Sequence, residues 1–167
     1  MRKFIGLVGA VALLAACETA PQDGANATGT GNANATAAQK LGPAAGSAQD
    51  FVVNVGDRVF FGFDQYNLTT DARATLDKQA VWLKKYPSVT IALEGHADER
   101  GTREYNLALG ERRANAAKEY LVSLGVDAAR VKTISYGKER PVALGHNEAA
   151  WAQNRRSVTV VSLGAGS

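Results

Sequence analysis

The sequence predicts an α/β domain with the order strand, helix, strand, helix, strand, strand, carried behind an N-terminal address and a flexible linker. Three observations carry that reading. From residue 51 onward short apolar runs alternate with stretches of helical period, turn signals separate them, and residues 18–50 lack the apolar content to fold. The chain has 167 residues, 46% of them apolar, enough for one modest domain plus extensions.

Val59, Phe60, Phe61 and Phe63 make a first strand running into a polar turn, Asp64 to Asn67, after which Thr69 or Thr70 can cap a helix. Ala72, Leu76, Ala80 and Leu83 recur at spacings of four, four and three, an apolar face, and Pro87 ends the helix. Val89, Ile91 and Leu93 alternate with Thr90 and Ala92, a second strand with one face inward that reaches Gly95. The densest polar loop follows, Gly95 to Gly101. Thr102 opens a second helix, whose predicted buried stripe is Leu107, Ala114, Ala117, Leu121 and Leu124, with Gly125 as its C-terminal cap. Residues 131–136 read as a third strand, residues 137–153 as a loop, and Ser157 to Val161 as a last strand. The two crossovers place the helices on one sheet face; the last strand fits either an edge or the middle.

The N-terminal segment is an address. Arg2 and Lys3 precede eleven uncharged residues, Phe4 to Leu14, too few to span a bilayer. Then comes Leu14-Ala15-Ala16-Cys17, with the only cysteine of the chain. A lone cysteine excludes an intrachain disulfide framework and a cysteine-rich zinc site. Of the 33 residues from Glu18 to Asp50, 22 are Ala, Gly, Thr or Asn, and Leu41 is the one large aliphatic. Such a stretch cannot offset its ordering entropy and reads as a leash spanning roughly 30 Å on average. Residues 1–16 thus read as a signal peptide, 17–50 as the cysteine and linker, 51–163 as the domain and 164–167 as a tail.

Without Arg2 and Lys3 the charge is 17 − 16 = +1, too little basic excess for non-specific nucleic-acid binding. On the second helix Asn106, Leu109 and Arg113 form a stripe displaced by roughly 100° from the core stripe. Arg113 is therefore expected at the rim, its stem packed and its guanidinium exposed near the Asp98 loop. That fork suits a carboxylate, and Asp98 offers the opposite sign; from periodicity alone the two can equally be a surface salt bridge.

Three longer runs carry a resemblance: Glu94-Gly95-His96-Ala97-Asp98-Glu99-Arg100-Gly101-Thr102, then Glu104-Tyr105-Asn106, then Leu107 to Ala114. With Phe61-Gly62-Phe63-Asp64, Ser135 to Pro141, Gly145 to Ala150 and Asn154-Arg155-Arg156, they resemble the peptidoglycan-associated lipoproteins of the outer-membrane-protein-A-like (OmpA-like) family. The likeness covers residues 59–161, and the context of Cys17 resembles the lipobox of bacterial lipoproteins.

The resemblance implies helices packed on a mixed four-stranded sheet and non-covalent binding of the peptidoglycan stem peptide at meso-diaminopimelate. By motif, Asp98 accepts from the ligand's ammonium, Arg113 grips its carboxylate, Asp64 and Leu109 contact the peptide, and Asn106 orients it. Gly62 stands where family members often carry Asp, so a contact from that carboxylate is missing. The family also implies thioether-linked diacylglycerol and N-acylation at Cys17, with Glu18 favouring outer-membrane delivery. It further implies a periplasmic partner, TolB of the Tol-Pal envelope system, competing for an overlapping rim that includes Glu99, Arg100, Tyr105 and Arg140. The system supports envelope integrity and cell division.

Competing readings are weaker on the residues. Glu94 with Asp98, or Asp98 with Glu99, is a nominal hydrolase pair, but close carboxylates are common. His96, Asp98, Glu99 and His146 lack a spaced histidine pair for zinc, and both histidines are expected as hydrogen-bonded loop residues. No nucleophile elbow, phosphate loop or dinucleotide fingerprint occurs. The expectation is a binding protein with no metal and no cofactor beyond the covalent lipid.

Overall fold

The computed structural model describes residues 42–163. Residues 1–41 and 164–167, which include the signal peptide, Cys17, most of the linker and the tail, lie outside the described residues. Strands β1 (Arg58–Phe60), β2 (Val89–His96), β3 (Val131–Gly137) and β4 (Arg156–Leu163) form one mixed sheet. Helix α1 (Thr70–Lys85) follows β1, α2 (Arg103–Ser123) follows β2, and α3 (Glu148–Asn154) lies between β3 and β4.

The sheet order is β1-β4-β2-β3. β4 runs antiparallel to both β1 and β2, while β2 and β3 are parallel, so the last strand occupies the middle of the sheet. Local sequence left its place open because pairing is a choice among distant partners. β1 stops at Phe60, and Phe63, read from its hydrophobicity as strand, lies beyond it at 59% exposure.

Helix α1 is capped by Thr69, whose hydroxyl accepts from the Ala72 N–H at 3.1 Å. Its predicted face is buried, and Leu76 and Leu83 join Phe51, Ile91, Leu93, Leu121 and Val131 in one core. Thr102 caps α2 in the same way, accepting from the Tyr105 N–H. The α2 stripe follows expectation at Ala114, Ala117 and Leu121, all buried, and differs at its start: Leu107 is exposed, whereas Asn106, Leu109, Gly110 and Arg113 are buried. The cause is backbone proximity. A Cβ on Gly95 of β2 would sit 1.8 Å from the Gly110 carbonyl oxygen of α2. Helix and strand meet through two glycines, which rolls the Asn106, Leu109 and Arg113 side inward.

Two further regions refine the sequence reading. Residues read as the end of the linker join the fold: Ser47 caps a single helical turn, Ala48–Asp50, and the Asp50 carboxylate accepts from Trp82 Nε1 at 2.9 Å. Within residues 137–153, Asn147 caps α3 by accepting from the Ala150 N–H. One cap and seven residues are a faint signal, below the length at which periodicity declares a helix.

Candidate functional site

The turn after β1, the loop after β2 and the first turns of α2 converge on a cavity of about 190 Å³. Phe63, Asp64, Asp98, Arg100, Gly101, Tyr105, Asn106, Leu109 and Arg113 line it, so all five residues singled out for a ligand meet there. A larger groove of about 620 Å³ between α1 and α2 contains none of them and is open to solvent.

Arg113 departs most from expectation. Its residue is fully buried, and its guanidinium is spent largely on main chain: Nε donates to Gln65 O at 2.8 Å, Nη1 to His96 O at 2.8 Å and Nη2 to Gly62 O at 3.1 Å. One arginine thereby ties the turn after β1 to the end of β2. A guanidinium has five N–H donors, so one on each Nη is left over, beside the cavity. Burial pulls the Arg113 pKa down to about 10, which still leaves it cationic at neutral pH. The guanidinium of the adjacent Arg112 is exposed, 5.6 Å from the Tyr66 ring centre and 5.9 Å from that of Tyr105.

Asp98 is not paired with Arg113. It is 5% exposed and accepts from Arg100, through Nη2 at 2.7 Å, Nε at 3.3 Å and the backbone N–H at 3.1 Å. Behind it Arg155 Nη1 donates at 3.4 Å. Burial pushes the carboxyl up, and the Arg100 bonds with Arg155 more than offset this, holding it below its ordinary range. The simple surface salt bridge is thus replaced by a buried carboxylate between two other arginines.

The remaining walls are positioned locally. Asp64 takes a left-handed conformation, φ 55°, which Asp tolerates better than most residues, and its carboxylate accepts from the Tyr105 hydroxyl. Asn106 Nδ2 donates to the Arg100 carbonyl at 2.8 Å and so pins the loop. Leu109 supplies the apolar floor. Of the residues expected on a partner rim overlapping the binding face, Arg100 and Tyr105 line this cavity. Glu99 accepts from Trp151 Nε1 and is 2.7 Å from His146 Nδ1, and Arg140 stacks 3.6 Å from the Tyr136 ring centre.

His96 is also corrected. It ends β2 rather than lying in a loop, it is 2% exposed, and neither ring nitrogen has a hydrogen-bond partner among the described residues. Burial, with Arg156 and Arg140 nearby, pulls its pKa down to about 4, so the ring is neutral at pH 7. No group of three or more His, Cys, Asp or Glu is gathered for a metal among the described residues.

Sequence reasoning assigned no role to Phe63, Glu148, Trp151 or Arg155. Arg155 backs Asp98 and donates to Glu148, while Phe63 and Trp151 each hold the Arg100 guanidinium 4.0 Å from their rings. The run Asn154-Arg155-Arg156 was visible as a motif; what it backs depends on β4 entering the sheet centre.

The model of the OmpA family matches residues 60–155. The peptidoglycan-associated lipoprotein of Rhizobium meliloti is 64% identical over 122 residues, covering 73% of this chain and 69% of that protein. The chain belongs to the OmpA family, among the peptidoglycan-associated lipoproteins. The peptidoglycan-associated lipoprotein of Haemophilus influenzae is 44% identical over 161 residues, 95% of this chain and 98% of that one. The crystal structure of the peptidoglycan-associated lipoprotein from Burkholderia pseudomallei shares 49% identity at a TM-score of 0.62, covering 64% of this chain and 90% of that one. The C-terminal domain of Helicobacter pylori MotB, at 22% identity and TM-score 0.61, shares the OmpA-like fold. Among the described residues, no helix of this chain is long and apolar enough to cross a membrane.

Proposed function

We propose that this lipoprotein binds the peptidoglycan stem peptide non-covalently at meso-diaminopimelate and tethers the outer membrane to the wall. The observation that carries the reading is the pair of unspent Arg113 N–H donors in a small cavity that also holds a buried carboxylate, Asp98. The free end of diaminopimelate is a zwitterion, an ammonium and a carboxylate on one carbon. Arg113 takes the carboxylate with two parallel bonds, Asp98 takes the ammonium, and Asp64, Leu109 and Asn106 hold the peptide around them. The names of the relatives support association with peptidoglycan. The role is binding, not hydrolysis: Glu94 lies within β2, and Asp98 is committed to arginines.

In this reading Cys17 carries the diacylglycerol and acyl chains, the domain faces the periplasm, and the linker bridges the gap. Three chains exceed what lasting attachment needs. TolB is the proposed protein partner, competing with the wall at a rim that includes Glu99, Arg100, Tyr105 and Arg140, within a Tol-Pal system acting in envelope integrity and division.

The test is co-sedimentation of the detergent-solubilised full chain with purified sacculi. Asp98→Asn and Arg113→Lys each reduce pelleting at least tenfold, and no soluble muropeptides appear. Undiminished pelleting of both variants overturns the site.

A further inference from the structure

A carboxylate offers about four lone-pair positions, and all four of Asp98 are filled, three by Arg100 and one by Arg155. A ligand ammonium therefore meets an acceptor already held by a cation of the protein. Arg155 is buried and fixed, donating also to Phe61 O and Glu148. Arg100 is different: its side chain is 31% exposed and lies at the cavity wall.

The surroundings of Arg100 are those of a side chain with two resting places. Its carbonyl is held by Asn106 and its backbone N–H by Asp98, so the main chain is anchored independently of the side chain's own bonds to Asp98. Its guanidinium lies 4.0 Å from the ring centres of both Phe63 and Trp151, and Glu148 Oε2 is already 3.9 Å from its Nη2. A guanidinium leaving Asp98 moves toward a second carboxylate without losing its aromatic contacts.

We propose that Arg100 is a built-in competitor for the ligand's ammonium and thereby a specificity-determining residue of this site. The inference rests on the zwitterion reading above and adds to it the basis of selection. A ligand that brings only an ammonium exchanges one cation for another at Asp98 and gains little. One that also brings a carboxylate gains the two spare Arg113 donors, and that surplus drives the exchange. The stem with meso-diaminopimelate has both groups; the stem with L-lysine has the ammonium alone. Discrimination thus comes from an element that opposes binding as well as from one that favours it.

The experiment is titration calorimetry on the detergent-solubilised full chain with L-Ala-γ-D-Glu-meso-diaminopimelate and its L-lysine counterpart. The parent prefers the diaminopimelate peptide. Arg100→Gln narrows that preference at least fivefold, chiefly by gaining affinity for the lysine peptide, and Arg100→Lys restores part of it. An unchanged preference, or weaker diaminopimelate binding with an unaltered melting transition, overturns the proposal. In the parent, the Arg100 Nε–H resonance shifts on adding the diaminopimelate peptide; an unmoved signal at saturation overturns the proposal without recourse to a variant. Failure of the parent to bind either peptide removes the site reading itself, an outcome distinct from a parent that binds with no role for Arg100.

Discussion

Arg113 combines a structural duty with its proposed ligand contact, two roles that a rim position would have kept apart. Its Nε and both Nη groups hold three main-chain carbonyls, of Gln65, His96 and Gly62, the bond to His96 being buried. Arg113→Ala therefore lowers the unfolding free energy by about 3 kcal/mol or more, read from urea denaturation. Arg113→Lys costs less stability but removes the paired donors, so folding and binding separate. His96 gives a pH prediction. Its folded pKa of about 4 lies below the ordinary 6.5, so between those values the unfolded chain binds a proton that the folded chain refuses. Stability therefore falls as pH drops from about 6.5 toward 4, by on the order of 3 kcal/mol. Asp98, held below its ordinary carboxylate value, adds its own loss only at lower pH still. Urea midpoints measured across that range show a smaller slope for His96→Asn than for the parent.

At the scale of elements, contact between α2 and β2 depends on the absence of two side chains. A Cβ on Gly110 would lie 2.4 Å from Ser135 Oγ and 2.8 Å from the Gly95 carbonyl oxygen. Gly95→Ala forces helix and strand apart and destabilises the domain by about 3 kcal/mol; a thermal midpoint equal to the parent's contradicts this. The same contact explains what was legible. The α1 face followed from spacing because apolar residues alone decide it. The α2 face followed in its later turns, at Ala114, Ala117 and Leu121, but not at its start, where glycine approach turned Asn106 and Arg113 inward and left Leu107 outside. The five residues proposed for the ligand were singled out by helix spacing, loop charge and motif resemblance, while the commitments of Asp98 and Arg113 to other groups depend on Arg155, between α3 and β4, and on distant carbonyls. Charge and spacing do not encode those partners.

For the whole molecule, the proposed lipid and wall attachments are separable. Cys17→Ser releases the chain from membranes in fractionation while sacculus pelleting persists; loss of both together contradicts a division of labour between anchor and domain. In the proposed role, many anchored copies facing a repeating wall hold two surfaces together through weak individual contacts. The position of β4 has another consequence. β1 pairs only with β4, and β4 is made last, so the sheet remains split until residues 156–163 are present. Its closure requires pairing across about a hundred residues, a slow step set by topology. A polypeptide threaded amino end first through a narrow pore thus stays pliable for the whole passage, and completes its architecture only once its tail has arrived on the far side.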